Sequence, residues 1–127
     1  SERRIKRSPL RDVASMLRSL SYAASAALNR PIWQSTGQGR GELILPAWIA
    51  YWERWSTSAF LRAYLDEARG SGILPPQQED LEVLLDSYML EKALYEVAYE
   101  LNNRPDWLSI PLRGIHQLLD QRPAQGL

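Results

Sequence analysis

Several kinds of chemistry are excluded by what this sequence lacks. The 127 residues include no cysteine and only one histidine, which rules out disulfides, thiolate nucleophiles, cysteine metal sites and His-rich metal centres. The 15 basic and 15 acidic residues cancel, so no excess charge favours binding to a nucleic-acid backbone or an anionic membrane. No run approaches the ~20 apolar residues that span a membrane. We therefore expect a soluble, cytoplasmic domain with neither a nucleic-acid nor a membrane partner.

Catalytic motifs are also missing. The sequence has no phosphate-binding glycine loop, no GxSxG and no HExxH. Its carboxylates Glu91, Glu96 and Glu100 alternate with Lys92 on a predicted helix, where ion pairing and solvation are the main explanation and ligand binding is the alternative. His116 has no neighbouring metal ligand in sequence, so a structural or surface role is expected. We predict no catalytic residue and no metal ligand in this chain.

The first predicted helix has a clear beginning and end. Ser8 is a favourable N-cap and Pro9 suits the first helical position, while Pro31 ends the pattern. The basic segment before Ser8 is expected to be an exposed lead-in, or a cut made inside a longer protein. The inward positions follow helical spacing: Leu10, Val13, Ala14, Leu17, Leu20, Ala24, Ala27 and Leu28.

A second helix is predicted to begin at Pro46, after an exposed loop over residues 32–41. Aromatic residues dominate its first half: Trp48, Tyr51, Trp52 and Trp55. Packing against a central helix is the main interpretation of this aromatic face, and a stacking platform for a ligand is the alternative. Tyr51 is set aside as a candidate sugar contact.

The longest predicted helix runs from about Gln78 to Leu101, and we expect it to be central because apolar residues lie on two of its faces. One stripe comprises Val83, Leu90, Leu94, Val97 and Leu101. The other comprises Leu81, Leu84, Leu85, Tyr88, Lys92, Tyr95 and Tyr99. Asparagines at 102–103 are predicted to form a left-handed cap, Pro111 to start a short last helix, and residues 121–127 to fray. The prediction is an all-α bundle of about four helices around this central helix.

Two segments resemble a known family. Residues 7–24 (RSPLRDVASMLRSLSYAA) and 90–115 (LEKALYEVAYELNNRPDWLSIPLRGI) closely resemble the C-terminal end of bacterial maltokinases, which are often fused behind a trehalose synthase. Residues 29–79 share only an aromatic, helical character with that family. Maltokinases are similar to aminoglycoside phosphotransferases and, more distantly, to protein kinases, and they phosphorylate maltose at its anomeric hydroxyl with ATP and magnesium.

The resemblance implies a division of labour between this chain and the rest of a kinase polypeptide. The family's nucleotide-binding lysine, catalytic aspartate and metal-binding aspartate all precede the Ser-Pro-Leu-Arg-Asp segment. Residues 1–127 would then be the C-terminal helical part of a kinase-like C-lobe, inactive by itself, with ATP and magnesium bound elsewhere in the parent. Asp12 is comparable to a helix aspartate that holds the catalytic loop in kinase-like folds, although a simple helix-start charge is an equal alternative.

The resemblance also implies where maltose binds. The expected acceptor residues are Tyr95, Tyr99, Glu100 and Arg104, with Tyr51 and Arg113 as weaker candidates. One-turn spacing places the first two rings on one helix face, where they can pack on a glucose unit. Glu100 is placed either to accept sugar hydroxyls or to pair with Arg104. The competing hypothesis is a free-standing helical interaction module whose Trp48–Trp55 face binds a partner protein.

Overall fold

The structure, a computed structural model, describes residues 7–28 and 41–120. This part of the chain forms four α-helices and a short 3₁₀-helix at Pro105–Trp107. The α-helices are α1 (Leu10–Leu28), α2 (Gly41–Ala68), α3 (Gln78–Asn103) and α4 (Ser109–Asp120). The described ranges contain no strand, so the predicted all-α class is confirmed. None of the helices within them is long and apolar enough to cross a membrane.

The predicted start of α1 is confirmed by its hydrogen bonds. Ser8 Oγ accepts from the Leu10 N–H at 3.3 Å, and the Ser8 carbonyl accepts from the Arg11 N–H at 3.1 Å. These bonds satisfy two of the amide groups that a helix leaves without partners at its N-terminus. Asp12 lies exposed in the first turn, where the helix dipole favours a carboxylate.

Helix α2 begins earlier than the sequence predicts. Pro46 lies inside this helix, which begins at Gly41, so the last residue of the predicted loop is helical and the rest of that loop lies outside the described residues. In the second turn of a helix, proline removes one backbone hydrogen bond and crowds the carbonyl four residues earlier, and α2 nevertheless continues to Ala68. The predicted packing of Trp48, Trp52 and Trp55 against a central helix is also wrong, because all three are exposed.

Helix α3 ends without the predicted asparagine cap. Asn102 and Asn103 are helical, and their side-chain amides donate to the Ala98 and Tyr99 carbonyls at 2.8 Å each. No described residue other than glycine has a positive φ. Arg104 leaves the helical conformation, with φ −147° and ψ 71°, consistent with the exclusion of the α region for a residue that precedes proline. Helix α4 starts at Ser109 rather than at Pro111, since proline is tolerated in a first turn.

Helix α3, the predicted central helix, packs against α1, α4 and the 3₁₀-helix, and it shares this central position with α1, which packs against α2, α3 and α4. Residues of α1 dominate the core of Leu10, Val13, Ala14, Leu17 and Leu85, against which partly buried residues of α2 and α3 pack. The stripe of α3 predicted to be buried leaves Val83, Leu94 and Leu101 exposed. The predicted frayed tail, residues 121–127, lies outside the described ranges.

Helices α1 and α3 run side by side in the same direction. Side-chain bonds join Arg11 to Glu91, Arg18 to Glu96 and Tyr22 to Glu100. The partners advance together along both helices, which defines a parallel pair. The seam between these two helices carries the polar groups of the candidate site.

Candidate functional site

A buried ion pair lies at the middle of the α1–α3 seam. Arg18 Nε and Nη2 both donate to Glu96 Oε2, at 3.0 and 2.7 Å. The Arg18 side chain is 3% exposed and that of Glu96 is 10% exposed. A charged pair this far from water persists only when its hydrogen bonds are well made. The pair therefore fixes the two helices against each other.

Gly114 of α4 makes room for that arginine. A Cβ added at this glycine would lie 2.1 Å from Arg18 Nη1 and 2.8 Å from Arg18 Cζ. Such distances are far inside van der Waals contact. The close approach of α4 to α1 thus depends on the missing side chain, and it helps to exclude water from the guanidinium.

Glu100, one turn after Glu96, is almost completely buried at 1% exposure. Its carboxylate accepts from Tyr22 Oη at 3.0 Å and from Arg104 through Nε at 3.0 Å and Nη2 at 2.7 Å. Burial, followed by the hydrogen bond to Glu100, raises the pKa of the Tyr22 phenol above its ordinary value. The bond to Glu100 likewise raises the pKa of the Arg104 guanidinium.

Arg104 is held between two aromatic rings at the end of α3. Its guanidinium carbon lies 5.6 Å from the centre of the Tyr99 ring and 4.7 Å from that of Trp107. These are cation–π distances. Together with the paired bonds to Glu100, the rings fix the plane and position of the guanidinium while its side chain stays 46% exposed. A planar donor fixed at the surface is suited to binding a polar ligand.

An open groove runs along this seam, and we call it the tyrosine groove. It has a volume of about 320 Å³, near the lower end of the ~300–1,000 Å³ typical of ligand pockets. Tyr95 and Tyr99 are 63% and 46% exposed, and the Lys92 ammonium lies 5.1 Å from the centre of the Tyr95 ring. The groove is lined by Ser19, Tyr22, Lys92, Tyr95, Glu96, Tyr99, Glu100 and Arg104.

The structure brings the four main candidates together and leaves the two weaker ones elsewhere. Tyr95, Tyr99, Glu100 and Arg104 all line the tyrosine groove. Tyr51 instead packs edge-to-face on Trp48 with ring centres 6.0 Å apart, beside a cavity of about 770 Å³ between the helices. Arg113 Nη2 donates to Ser25 Oγ at 2.5 Å, in a separate cavity of about 140 Å³.

The acidic residues of α3 are paired with arginines, which leaves little capacity for metal binding. Ion pairing was expected for Glu96 and Glu100, with Arg104 as one possible partner of Glu100; the structure pairs Glu96 with Arg18 and Glu100 with Arg104, and the expected solvation is wrong because both carboxylates are buried. Searched over the described ranges, no group of three acidic or histidine side chains could hold a metal ion. These residues therefore do not fit magnesium. His116 lies at the surface, as expected, with Nδ1 2.9 Å from Asp120 Oδ2.

The polar residues of α1 were not among the predicted site residues. Arg18, Tyr22 and Ser25 occupy positions i, i+4 and i+7 of α1 and all face polar partners. That spacing of polar residues within an otherwise apolar face was the available signal.

The site as a whole offers aromatic faces, hydroxyls and fixed planar charges in one open groove. Such groups can pack on the C–H faces of a ligand and make paired hydrogen bonds to its hydroxyls. No proton donor or acceptor in the groove is arranged as a catalytic pair, because both carboxylates are engaged by arginines. No protein-family model matches this chain, and no solved structure matches it.

Proposed function

We propose that this chain is the C-terminal helical part of a maltokinase C-lobe, in which it supplies scaffold and part of the acceptor-sugar site. The observation that carries the proposal is the tyrosine groove, where Tyr95, Tyr99 and Arg104 line one open surface. The two segments that resemble maltokinases contribute both walls of this groove. The parent enzyme, with or without a fused trehalose synthase, would transfer phosphate from ATP to maltose in the cytoplasm.

The exposed apolar surface also supports a chain that belongs to a larger polypeptide. Val83, Leu94 and Leu101 form a stripe on α3 that faces solvent, and Trp48 and Trp55 are exposed on α2. Apolar patches of this kind mark contact surfaces in soluble proteins. The rest of the kinase is the proposed partner for them, and it would contribute ATP, magnesium and the catalytic aspartate.

The acceptor role can be tested by titrating the ¹⁵N-labelled chain with maltose and following amide chemical shifts. We expect the largest shifts at residues 92–104 and at Tyr22. Tyr95→Phe and Arg104→Lys should each weaken binding, since losing one hydrogen-bonded group costs on the order of 1–3 kcal/mol, or about 5- to 150-fold in affinity. Lysine is chosen at 104 because it leaves a cation beside the buried Glu100 carboxylate.

Matched controls lie outside the groove. Tyr51→Phe alters an exposed tyrosine on α2, and Arg69→Ala alters an exposed arginine paired with Asp66. Neither should change maltose affinity. If Tyr51→Phe weakens binding while Tyr95→Phe does not, the sugar occupies the cavity between the helices and the tyrosine groove is not the acceptor site. Absence of shifts at high maltose concentration would count against the acceptor role altogether.

Two assays test which parts of the reaction depend on the rest of the parent polypeptide. The chain alone should show no maltose-dependent ATP consumption, and turnover above background would end that proposal. In the full-length enzyme, Asp12→Asn should lower kcat while leaving the KM for maltose nearly unchanged if Asp12 anchors the catalytic loop. An unchanged kcat would leave Asp12 only its charge at the helix start.

A second candidate is a free-standing interaction module that uses its aromatic face. The exposure of Trp48, Tyr51, Trp52 and Trp55 favours it, because exposed tryptophan and tyrosine are enriched where proteins bind one another. The native open reading frame separates the two hypotheses. Several hundred upstream residues with a histidine-x-aspartate motif would support the kinase, and a gene that begins near Ser1 would support the module.

A further inference from the structure

The tyrosine groove does not end at Tyr95. A second cavity of about 210 Å³ adjoins it and shares Lys92 and Tyr95 as lining residues. We call this second cavity the distal cavity, and its other lining residues are Arg11, Ser15, Tyr88 and Glu91. Taken together, the two cavities fall within the ~300–1,000 Å³ of ordinary ligand sites, whereas the distal cavity alone is below that range. The two cavities lie next to each other along the α1–α3 seam, and we refer to them together as the depression.

The length of this depression exceeds what a disaccharide needs. Tyr88, Tyr95 and Tyr99 lie on the same side of α3, and a rise of ~1.5 Å per residue separates the first and last by about 17 Å. The two rings of maltose together are shorter than this distance. A linear chain of more than two hexose units is required to contact both Tyr88 and Tyr99 at once.

The charges of the depression favour a neutral ligand. Three cationic and three anionic side chains line it, namely Arg11, Lys92, Arg104, Glu91, Glu96 and Glu100. Each of the three carboxylates is paired with an arginine, Glu91 with Arg11, Glu96 with Arg18 and Glu100 with Arg104. The lining therefore carries little net charge with which to attract a polyanion such as nucleic acid. The hydroxyls of a neutral polyol can accept from Arg11 and Arg104 and donate to the half-exposed Glu91 carboxylate, and its C–H faces can pack on the tyrosine rings.

The distal cavity has groups with unused hydrogen-bonding capacity. Arg11 Nη2 lies 3.4 Å from Glu91 Oε1, a long bond between side chains that are 48% and 53% exposed. Ser15 Oγ donates to the Arg11 carbonyl at 3.0 Å and keeps its lone pairs. An exposed pair of this kind contributes little to stability, and its guanidinium and carboxylate can instead be bridged by vicinal hydroxyls.

We propose that the distal cavity is a further sugar subsite, so that the ligand of this surface is a linear α-1,4-linked glucan of three or more units. The inference rests on the proposed acceptor function of the tyrosine groove and extends it in one direction, toward the N-terminal ends of α1 and α3. Arg11, Tyr88 and Glu91 are then the residues that determine chain length.

Titrations of the chain with maltose, maltotriose and maltotetraose, followed by ¹⁵N chemical shifts, test the subsite. Maltotetraose should bind about fivefold or more tightly than maltose, the gain expected from one additional net hydrogen bond. Maltotetraose should also change the amide chemical shifts of residues 11–15 and 88–91, which maltose should leave unchanged. Arg11→Ala and Tyr88→Phe should bring the ratio of the two affinities close to one, while Arg62→Ala, an exposed arginine of α2, should not change it.

The outcomes separate this inference from the function on which it rests. Equal affinity for maltose and maltotetraose, with shifts confined to residues 92–104, would overturn the subsite and leave the acceptor groove standing. A ratio that survives both Arg11→Ala and Tyr88→Phe would place the extra contacts elsewhere and overturn it too. Absence of binding by every sugar would refute the acceptor groove and the subsite together. Circular dichroism of each variant shows whether the helices are retained.

Discussion

Arg18→Met tests whether the buried ion pair is what holds the α1–α3 seam. Both hydrogen bonds from the guanidinium end on one carboxylate oxygen of Glu96. Methionine keeps the unbranched apolar stem of the arginine and removes its charge. The substitution leaves the Glu96 carboxylate in a position where the residue is only 8% exposed.

The expected cost is large because a charge is left behind. Removing one partner of a buried pair typically destabilises a protein by ~3–5 kcal/mol, against a total stability of roughly 6–19 kcal/mol for a chain of this length. Arg18→Met should therefore remain folded but lose a substantial share of its stability. Removing both partners with Arg18→Met/Glu96→Leu leaves no buried charge, so the double variant should be more stable than either single variant.

Urea unfolding followed by far-ultraviolet circular dichroism measures these differences as changes in midpoint at constant m. Arg11→Met is the matched control, because the Arg11–Glu91 pair joins the same two helices but is half exposed. Its cost should be about 0–1 kcal/mol. If Arg18→Met costs no more than Arg11→Met, water reaches Glu96 in the variant and the pair is not the element that holds the seam.

Three further predictions concern neighbouring groups. Gly114→Ala should destabilise the chain by ~1–3 kcal/mol through overpacking against Arg18. This loss of stability, measured by urea unfolding, should disappear when Arg18 is replaced by methionine. If the loss remains in that background, another contact is responsible. Tyr22→Phe should cost ~1.5–3 kcal/mol near neutral pH through the lost bond to the Glu100 carboxylate. Folding raises the pKa of Tyr22, so the stability that the protonated phenol contributes is lost as pH rises above ~10. The difference in unfolding free energy between Tyr22→Phe and the parent should therefore shrink above that pH. A difference independent of pH would contradict this. Gly72→Ala should cost ~1–2 kcal/mol because φ is +76° at this position, and an unchanged midpoint would show that the turn can rearrange.

The helices were predictable because their signals are local. A serine and a proline mark the start of α1, and the apolar periodicity of residues 78–101 indicated that α3 begins at about Gln78. The start of α2 was predicted wrongly because a local signal is ambiguous here: proline is common at the first position of a helix, but Pro46 lies in the second turn of a helix that has already begun. The predicted asparagine cap is wrong because both asparagines are helical and Arg104, whose backbone N–H donates to the Glu100 carbonyl, is the C-cap residue of α3.

The site was predictable only where it lies on one helix. One-turn spacing is enough to place Tyr95 and Tyr99 on a common face, and Arg104, the C-cap residue of α3, lies one turn after Glu100 and so remains beside them. Periodicity also placed Glu100 beside that face, but could not tell pairing from sugar binding. Arg18 and Tyr22 come from α1, whose alignment with α3 is a tertiary property. No pattern within either helix reports which turn of one faces which turn of the other.

That alignment follows from the polar groups of the seam. Arg18 and Tyr22 are one turn apart on α1, and their partners Glu96 and Glu100 are one turn apart on α3. Sliding α1 forward by one turn would place Arg18 beside Glu100, which Arg104 already occupies, and would leave Glu96 buried without a cation. An unpaired buried carboxylate costs several kcal/mol, whereas leucine and alanine contacts in the core tolerate such a shift far better. The apolar residues therefore bring the two helices together, and the ion pairs select the single alignment in which the tyrosine groove exists.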